Sequence, residues 1–195
     1  MEMAIGTFEY YLIAINILGF ILYGINTLLY RFTENGQIDT VLTITSLLGG
    51  SLGIVLCILL FDRKSVKQNM MSRVFIACVF VVQTIVYLYI KGIHGENISL
   101  AFWDFFEKNK LLLFYFIAIN IITFIAFGVD KQKAIEQKSR IRIITLLGLS
   151  FIGGAIGGWI DMYTFRHKTK KDYFAVGLPL IVFMHIVVIL YLMNL

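Results

Sequence analysis

The sequence predicts an all-α integral membrane protein built from two tandem copies of one hydrophobic module. Three observations lead there: the composition, six long apolar stretches, and a match between the two halves of the chain. Hydrophobic residues make up 59% of the 195 residues and charged residues only 15%. A soluble domain carries about 25% charged residues. A core of this size cannot hide so much apolar surface, so lipid must be the solvent.

The apolar stretches cover residues 10–30, 40–61, 74–90, 111–128, 143–165 and 174–193. Each is long enough to cross a bilayer, which takes about 20 residues with allowance for tilt and thinning. None shows the alternation of a transmembrane strand, so helix is the expected state. The amino-terminal stretch lacks the basic flank of a cleavable leader and is expected to be a retained anchor. Cys57 and Cys78 lie within apolar runs and read as small buried hydrophobes.

Sliding the chain so that Tyr11 falls on Tyr115 aligns the halves without a gap. Asn16, Phe20 and Gly24 then meet Asn120, Phe124 and Gly128. Gly49, Gly50 and Gly53 meet Gly153, Gly154 and Gly157, while Phe61, Lys64 and Lys67 meet Phe165, Lys168 and Lys171. Apolar composition alone does not put asparagines, glycines and lysines in register, so the halves read as a duplication. Residues 1–91 form the first, diverged copy and 111–195 the second. Each copy has two transmembrane helices flanking a Gly-centred segment.

Asn16 and Asn120 recur with a Phe and a Gly at helical spacing, a stripe that suits a helix–helix seam. Between the copies, residues 92–110 place Ile98, Ala101, Phe102 and Phe105 at helical spacing, with Trp103 and Phe106 beside them. This linker is expected to be an amphipathic helix in the membrane interface. His94 reads as a solvated loop residue.

Charge decides between two topologies. If all six stretches cross the membrane, the copies are inverted and the basic residues divide almost evenly between the two sides. If each Gly-centred segment is a re-entrant hairpin, all of the 17 basic residues except Lys91, Lys108 and Lys110 fall on one side. The cytoplasmic excess of Lys and Arg favours the hairpin. A straight helix using the glycines as a packing face is the alternative.

The second copy carries a recognisable set of residues. It has Asp130-Lys131 after the Asn120 helix, then Arg140-Ile141 and Thr145-Leu146-Leu147. The Gly153-Gly154-x-x-Gly157 turn and the Phe165-Arg166-His167-Lys168-Thr169 run follow. In these it resembles the bacterial membrane family known as domain of unknown function 1294. The resemblance implies a multi-pass protein of the bacterial cytoplasmic membrane, and no activity. Family members tend to carry a Pro in the Gly turn, an acid after Arg-Ile, and a Gln in the last helix. This chain has Ile156, Arg142-Ile143 and His185 in those regions, and Asp161 where the family has a small residue.

The copies differ where polarity matters. Asp130-Lys131 corresponds to Asn26-Thr27, and Arg166-His167-Lys168 to Asp62-Arg63-Lys64. The second copy is therefore expected to hold any site. Asp130, Lys131, Arg142, Arg166, His167, Lys168 and Lys171 form the candidate ligand or headgroup cluster, since Arg and Lys bind phosphate. An unpaired carboxylate at the membrane boundary is costly, so Asp130 is expected to have a cationic partner, with Lys168 or Arg166 the candidates. Asn16, Asn120, Asp161 and His185 are polar groups inside apolar stretches, where an ionisable residue suggests function and His with Asp suggests a proton relay.

The chain has no phosphate-cradling Gly loop, no metal-ligand spacing and no nucleophile-plus-base motif, so no cofactor is expected and an enzyme is the minority reading. Its basic runs flank lipid spans and form no nucleic-acid groove, so anionic lipid is the expected partner. The functional expectation is a small transport or channel-type module, because duplicated modules with broken segments recur in transporters and would pass an ion or solute. The alternative is binding or processing of an anionic lipid headgroup at a cytoplasmic basic rim.

Overall fold

The computed structural model describes residues 6–32, 39–61, 70–95 and 98–195, and the described residues are helical with no strand. Six helical segments are long and apolar enough to cross a membrane: Thr7–Leu29, Thr40–Phe61, Met70–Ile90, Lys110–Ile135, Ile143–Thr164 and Asp172–Met193. In lipid a backbone must satisfy its own polar groups, and the helix does so within one segment. The chain divides into two compact units, Met1–Thr84 and Ile85–Leu195.

In the first unit, α1 spans Thr7–Phe32, α2 Asp39–Thr45, α3 Ser51–Phe61 and α4 Met70–Ile90. Between α2 and α3 the backbone kinks through a wide turn, Ser46–Gly50, with Gly49 at φ 112°. That conformation is open to glycine and strained for residues with a Cβ. The kink strands carbonyls at the end of α2, as any helix end does. Side chains of the neighbouring helices cover them. Tyr11 of α1 donates its hydroxyl to Leu48 O at 2.7 Å. Gln83 of α4 donates to Ser46 O at 2.7 Å and Leu47 O at 3.0 Å. Asn16 Oδ1 accepts the Gly53 N–H at 2.8 Å, and its amide donates to Leu12 O within α1.

The helices α1 and α3 meet at backbone contact. A Cβ on Gly53 would stand 1.9 Å from Asn16 O, and one on Gly19 would stand 2.6 Å from Gly50 O. Small residues permit such approach where the hydrophobic effect cannot drive association. Around this seam Tyr23, Leu42, Ile54, Cys57 and Ile76 form the core of the unit. Cys78 is also buried.

In the second unit, α5 spans Phe102–Lys108, α6 Lys110–Ile135, α7 Ile143–Leu149, α8 Ala155–Thr164, α9 Asp172–Ala175 and α10 Gly177–Met193. The turn Ser150–Gly154 joins α7 to α8 with Gly153 at φ 133°. Tyr115 donates its hydroxyl to Ile152 O. The amide of Asn120 donates to Phe116 O at 2.8 Å and Gly153 O at 2.9 Å, and its oxygen accepts Gly157 N–H at 2.7 Å. A Cβ on Gly157 would lie 2.0 Å from Asn120 O. Phe127 and Phe174 are fully buried and meet edge to face. Pro179 sits in the first turn of α10, where a missing N–H leaves no helical bond unmade.

Two boundaries differ from the apolar pattern. The linker helix begins only at Phe102, because the side chain of Asn194 takes both the N–H and the carbonyl of Ser99 and so diverts that backbone from a helix. Trp103 on the linker helix is 88% exposed. His94 is exposed as well and stacks on Tyr89. The helix α6 runs past the end of the apolar run at Gly128 to Ile135, which puts Asp130 inside a helix.

Candidate functional site

The polar residues of the second unit gather around the Asp130 carboxylate, which is fully buried. Three groups from two chain segments donate to it. The Ile141 N–H reaches Oδ1 at 2.8 Å. His167 Nε2 stands 3.1 Å from Oδ2, and Lys168 Nζ stands 2.6 Å from the same oxygen. The carboxylate thus ties the last turns of α6 to the loop before α7 and to the turn after α8.

That turn is shaped for the task. Arg166 and Lys168 both adopt positive φ, at 47° and 62°. Left-handed backbone is unusual for a residue with a Cβ and persists only where its surroundings hold it. Here the His167 N–H donates back to Met162 O at 3.0 Å and the Lys171 N–H to Lys168 O at 3.0 Å. The result turns Lys168 inward, beneath Asp130 and over the faces of Phe174 and Phe127, at 4.8 and 5.8 Å from the ring centres. Burial pulls the Lys168 ammonium below its ordinary value, while the hydrogen bond to Asp130 and its charge hold it up.

The other expected site residues are placed as follows. Lys131 donates to Phe165 O at 2.8 Å and lies over the Phe165 ring, away from Asp130. Arg142 is exposed at the start of α7, and Arg166 and Lys171 are exposed on the turn between α8 and α9. Asn16 and Asn120 bond backbone groups of the glycines at the kinks, Asn16 the Gly53 N–H and Asn120 the Gly157 N–H and the Gly153 carbonyl. His185 Nε2 lies 2.8 Å from Phe151 O, in the second kink. Asp161 is fully buried, and neither of its carboxylate oxygens has a hydrogen-bond partner among the described residues. No hydrogen bond or ion pair links it to His185. In the first unit Asn26 is buried at the position that matches Asp130. Asp62, Arg63, Lys64 and Lys67 lie outside the described residues. No group of three or more His, Cys, Asp or Glu comes together to hold a metal among the described residues.

Two participants escaped the sequence reading. The Ile141 amide has no sequence signature, since any residue but proline offers one. Gln83 left a signal: it is the lone amide side chain in its apolar stretch, and such a group must find a partner in hydrocarbon. It meets the first kink as His185 meets the second, Gln83 on Leu47 O and His185 on Phe151 O.

Residues 120–174, which contain Asp130, Ile141, Asp161, His167 and Lys168, match the family described as protein of unknown function DUF1294. The uncharacterized protein YsdA of Bacillus subtilis strain 168 is 40% identical over 75 residues, which cover 38% of this chain and 84% of that relative. No solved structure matches the chain significantly. The chain is a multi-pass membrane protein with a bacterial relative. Through its second unit it belongs to the DUF1294 family.

Proposed function

We propose that the protein binds anionic lipid headgroups at a basic rim on the cytoplasmic side of the second unit, with Asp130 as the post that assembles the rim. The observation that carries this is the shared carboxylate. Ile141 precedes the Ile143–Thr164 segment and Lys168 follows it, yet both bond Asp130. A straight helix of that segment's 22 residues would be about 33 Å long at about 1.5 Å per residue. Its two ends can share one carboxylate only if the chain turns back at Gly153. Each Gly-centred segment is then a re-entrant hairpin, and the exposed guanidiniums of Arg140, Arg142 and Arg166 stand on one side of the membrane.

The tandem duplication is part of the same reading. Tyr11, Asn16 and Gly53 repeat the hydrogen bonds of Tyr115, Asn120 and Gly157. The first copy keeps the bend and has a neutral Asn26 in place of the post.

A rim of exposed guanidiniums suits a phosphate, which arginine holds through paired N–H donors. Each such residue near the surface contributes about 1 kcal/mol toward an anionic lipid, roughly fivefold in affinity. The test is native mass spectrometry of the protein released from mixed bilayers of phosphatidylglycerol and phosphatidylcholine. Bound phosphatidylglycerol should drop sharply when Arg140, Arg142 and Arg166 are all changed to Ala. Equal lipid retention by the variant and the intact protein would end the proposal. Labelling of single cysteines at Ser139 and Lys170, in a background without Cys57 and Cys78, should report one side for both. Labelling from opposite sides would restore the straight helix.

Transport is the second reading, and Asp161 favours it as an ionisable group inside the membrane-buried part of the unit. The asparagines do not add to it. Their amides are taken up by backbone at helix seams packed to backbone contact.

A further inference from the structure

We propose that Asp161 is a proton-binding carboxyl, a site in the membrane-buried part of the second unit that takes up and releases a proton beside the Asp130–Lys168 pair. The proposal is independent of what the rim binds.

The two buried aspartates of this unit are in opposite states. Asp130 receives a backbone N–H, a lysine and a histidine. Asp161, equally buried, receives nothing at either oxygen among the described residues. A bare carboxylate withdrawn from water without donors is the least tolerable of buried groups, and the ordinary remedy is to neutralise it.

The surroundings select a proton as the neutralising species. Asp161 lies on α8 and faces α6 at Gly128, where a Cβ would come within 3.3 Å of Oδ1. From α6 the charged groups nearby are Asp130 and Lys131. The turn after α8 brings His167 and Lys168, and Arg140 lies beyond them. The titratable groups of α10 are His185, which is bonded to Phe151 O, and Tyr191, which donates to Ile93 O. Lys131 and Lys168 are within electrostatic reach of Asp161, but their ammonium groups are already bonded to Phe165 O and to Asp130. A hard metal cation would need a shell of several oxygens. The helix backbone here is engaged, with Asp161 O itself accepting Phe165 N–H at 2.9 Å. A proton needs one lone pair. The matching position in the first unit is Cys57, also fully buried, so the slot in this fold accepts an uncharged side chain.

The balance is simple. On uptake, the Asp161 carboxylate and a proton from water form a neutral carboxylic acid, and Lys168 has Asp130 as its one negative partner. On release, the proton returns to water, and a second negative charge competes for Lys168 and draws Lys131 away from Phe165 O. His167, 15% exposed and in contact with Asp130, lies toward the exposed side of this cluster.

The experiment is infrared difference spectroscopy of the full chain in bilayers, titrated from acid to alkaline pH. The intact protein should show a C=O stretching band of a protonated carboxyl at about pH 5, where an ordinary aspartate is ionised, that disappears at alkaline pH. The band should be missing from Asp161→Asn and from Asp161→Cys, the second of which reproduces the packing of the first unit if the first fails to fold. It should persist in Lys108→Ala, a substitution on the linker helix away from this cluster. Absence of any such band at about pH 5 in the intact protein would overturn the proposal. So would a band that survives in both Asp161 variants, or one displaced by sodium at constant pH.

Discussion

Lys168 reaches Asp130 at 2.6 Å from a turn on the far side of the Gly-centred segment, and it buries its ammonium to do so. Only 13% of its side chain remains exposed, against none for Asp130. Removing one partner of a buried pair leaves an uncompensated charge, an effect of about 3–5 kcal/mol. Asp130→Asn and Lys168→Met should each lower unfolding stability in detergent by an amount of that order. The double variant should lose much less than the two losses together. Additive losses would mean that the pair is not coupled.

The glycines that face backbone should be intolerant of even one carbon. Gly157→Ala and Gly53→Ala would push a methyl to about 2 Å from the carbonyl oxygens of Asn120 and Asn16, well inside contact distance. Neither variant should purify as folded protein. Gly148→Ala is the control, because nothing lies within 4 Å of its added carbon, and helix propensity makes it neutral or slightly stabilising. Folded protein from the first two, judged by size-exclusion and helicity, would contradict the packing.

The last helix of each unit closes a kink through one polar side chain. His185→Ala should leave Phe151 O unpaired and reduce stability by about 1–3 kcal/mol. His185→Gln should recover most of the loss, since Gln83 makes the matching bond to Leu47 O in the first unit. A glutamine variant no better than alanine would show that the ring is needed for packing against Phe116 and not for its bond.

Asn120 must both donate and accept. Its amide donates to Phe116 O and Gly153 O while its oxygen accepts Gly157 N–H. Asn120→Asp keeps the shape and the acceptor but turns two donated bonds into repulsion between oxygens. It should therefore be at least as destabilising as Asn120→Ala in thermal unfolding. An Asp variant as stable as the parent would mean that the two carbonyls are satisfied by other means.

Six apolar helices, the central glycines of each unit and the asparagine stripes were legible in the sequence alone. Each depends on local chemistry: apolar length sets a membrane helix, Gly49 and Gly153 supply backbone angles strained for residues with a Cβ, and Asn16 and Asn120 each share a helical stripe with a Phe and a Gly. The linker helix was legible in part, because the tie between Asn194 and Ser99 joins residues far apart in the chain. A cationic partner for Asp130 was expected from the sequence, and the fold selects Lys168 over Arg166 and adds Ile141 and His167. Asp130, Ile141, His167 and Lys168 come from three segments, and their convergence depends on how far each kink bends the chain, a long-range geometry that no local pattern encodes. For the same reason the isolation of Asp161 was invisible. A carboxylate's lack of partners is a property of everything packed around it.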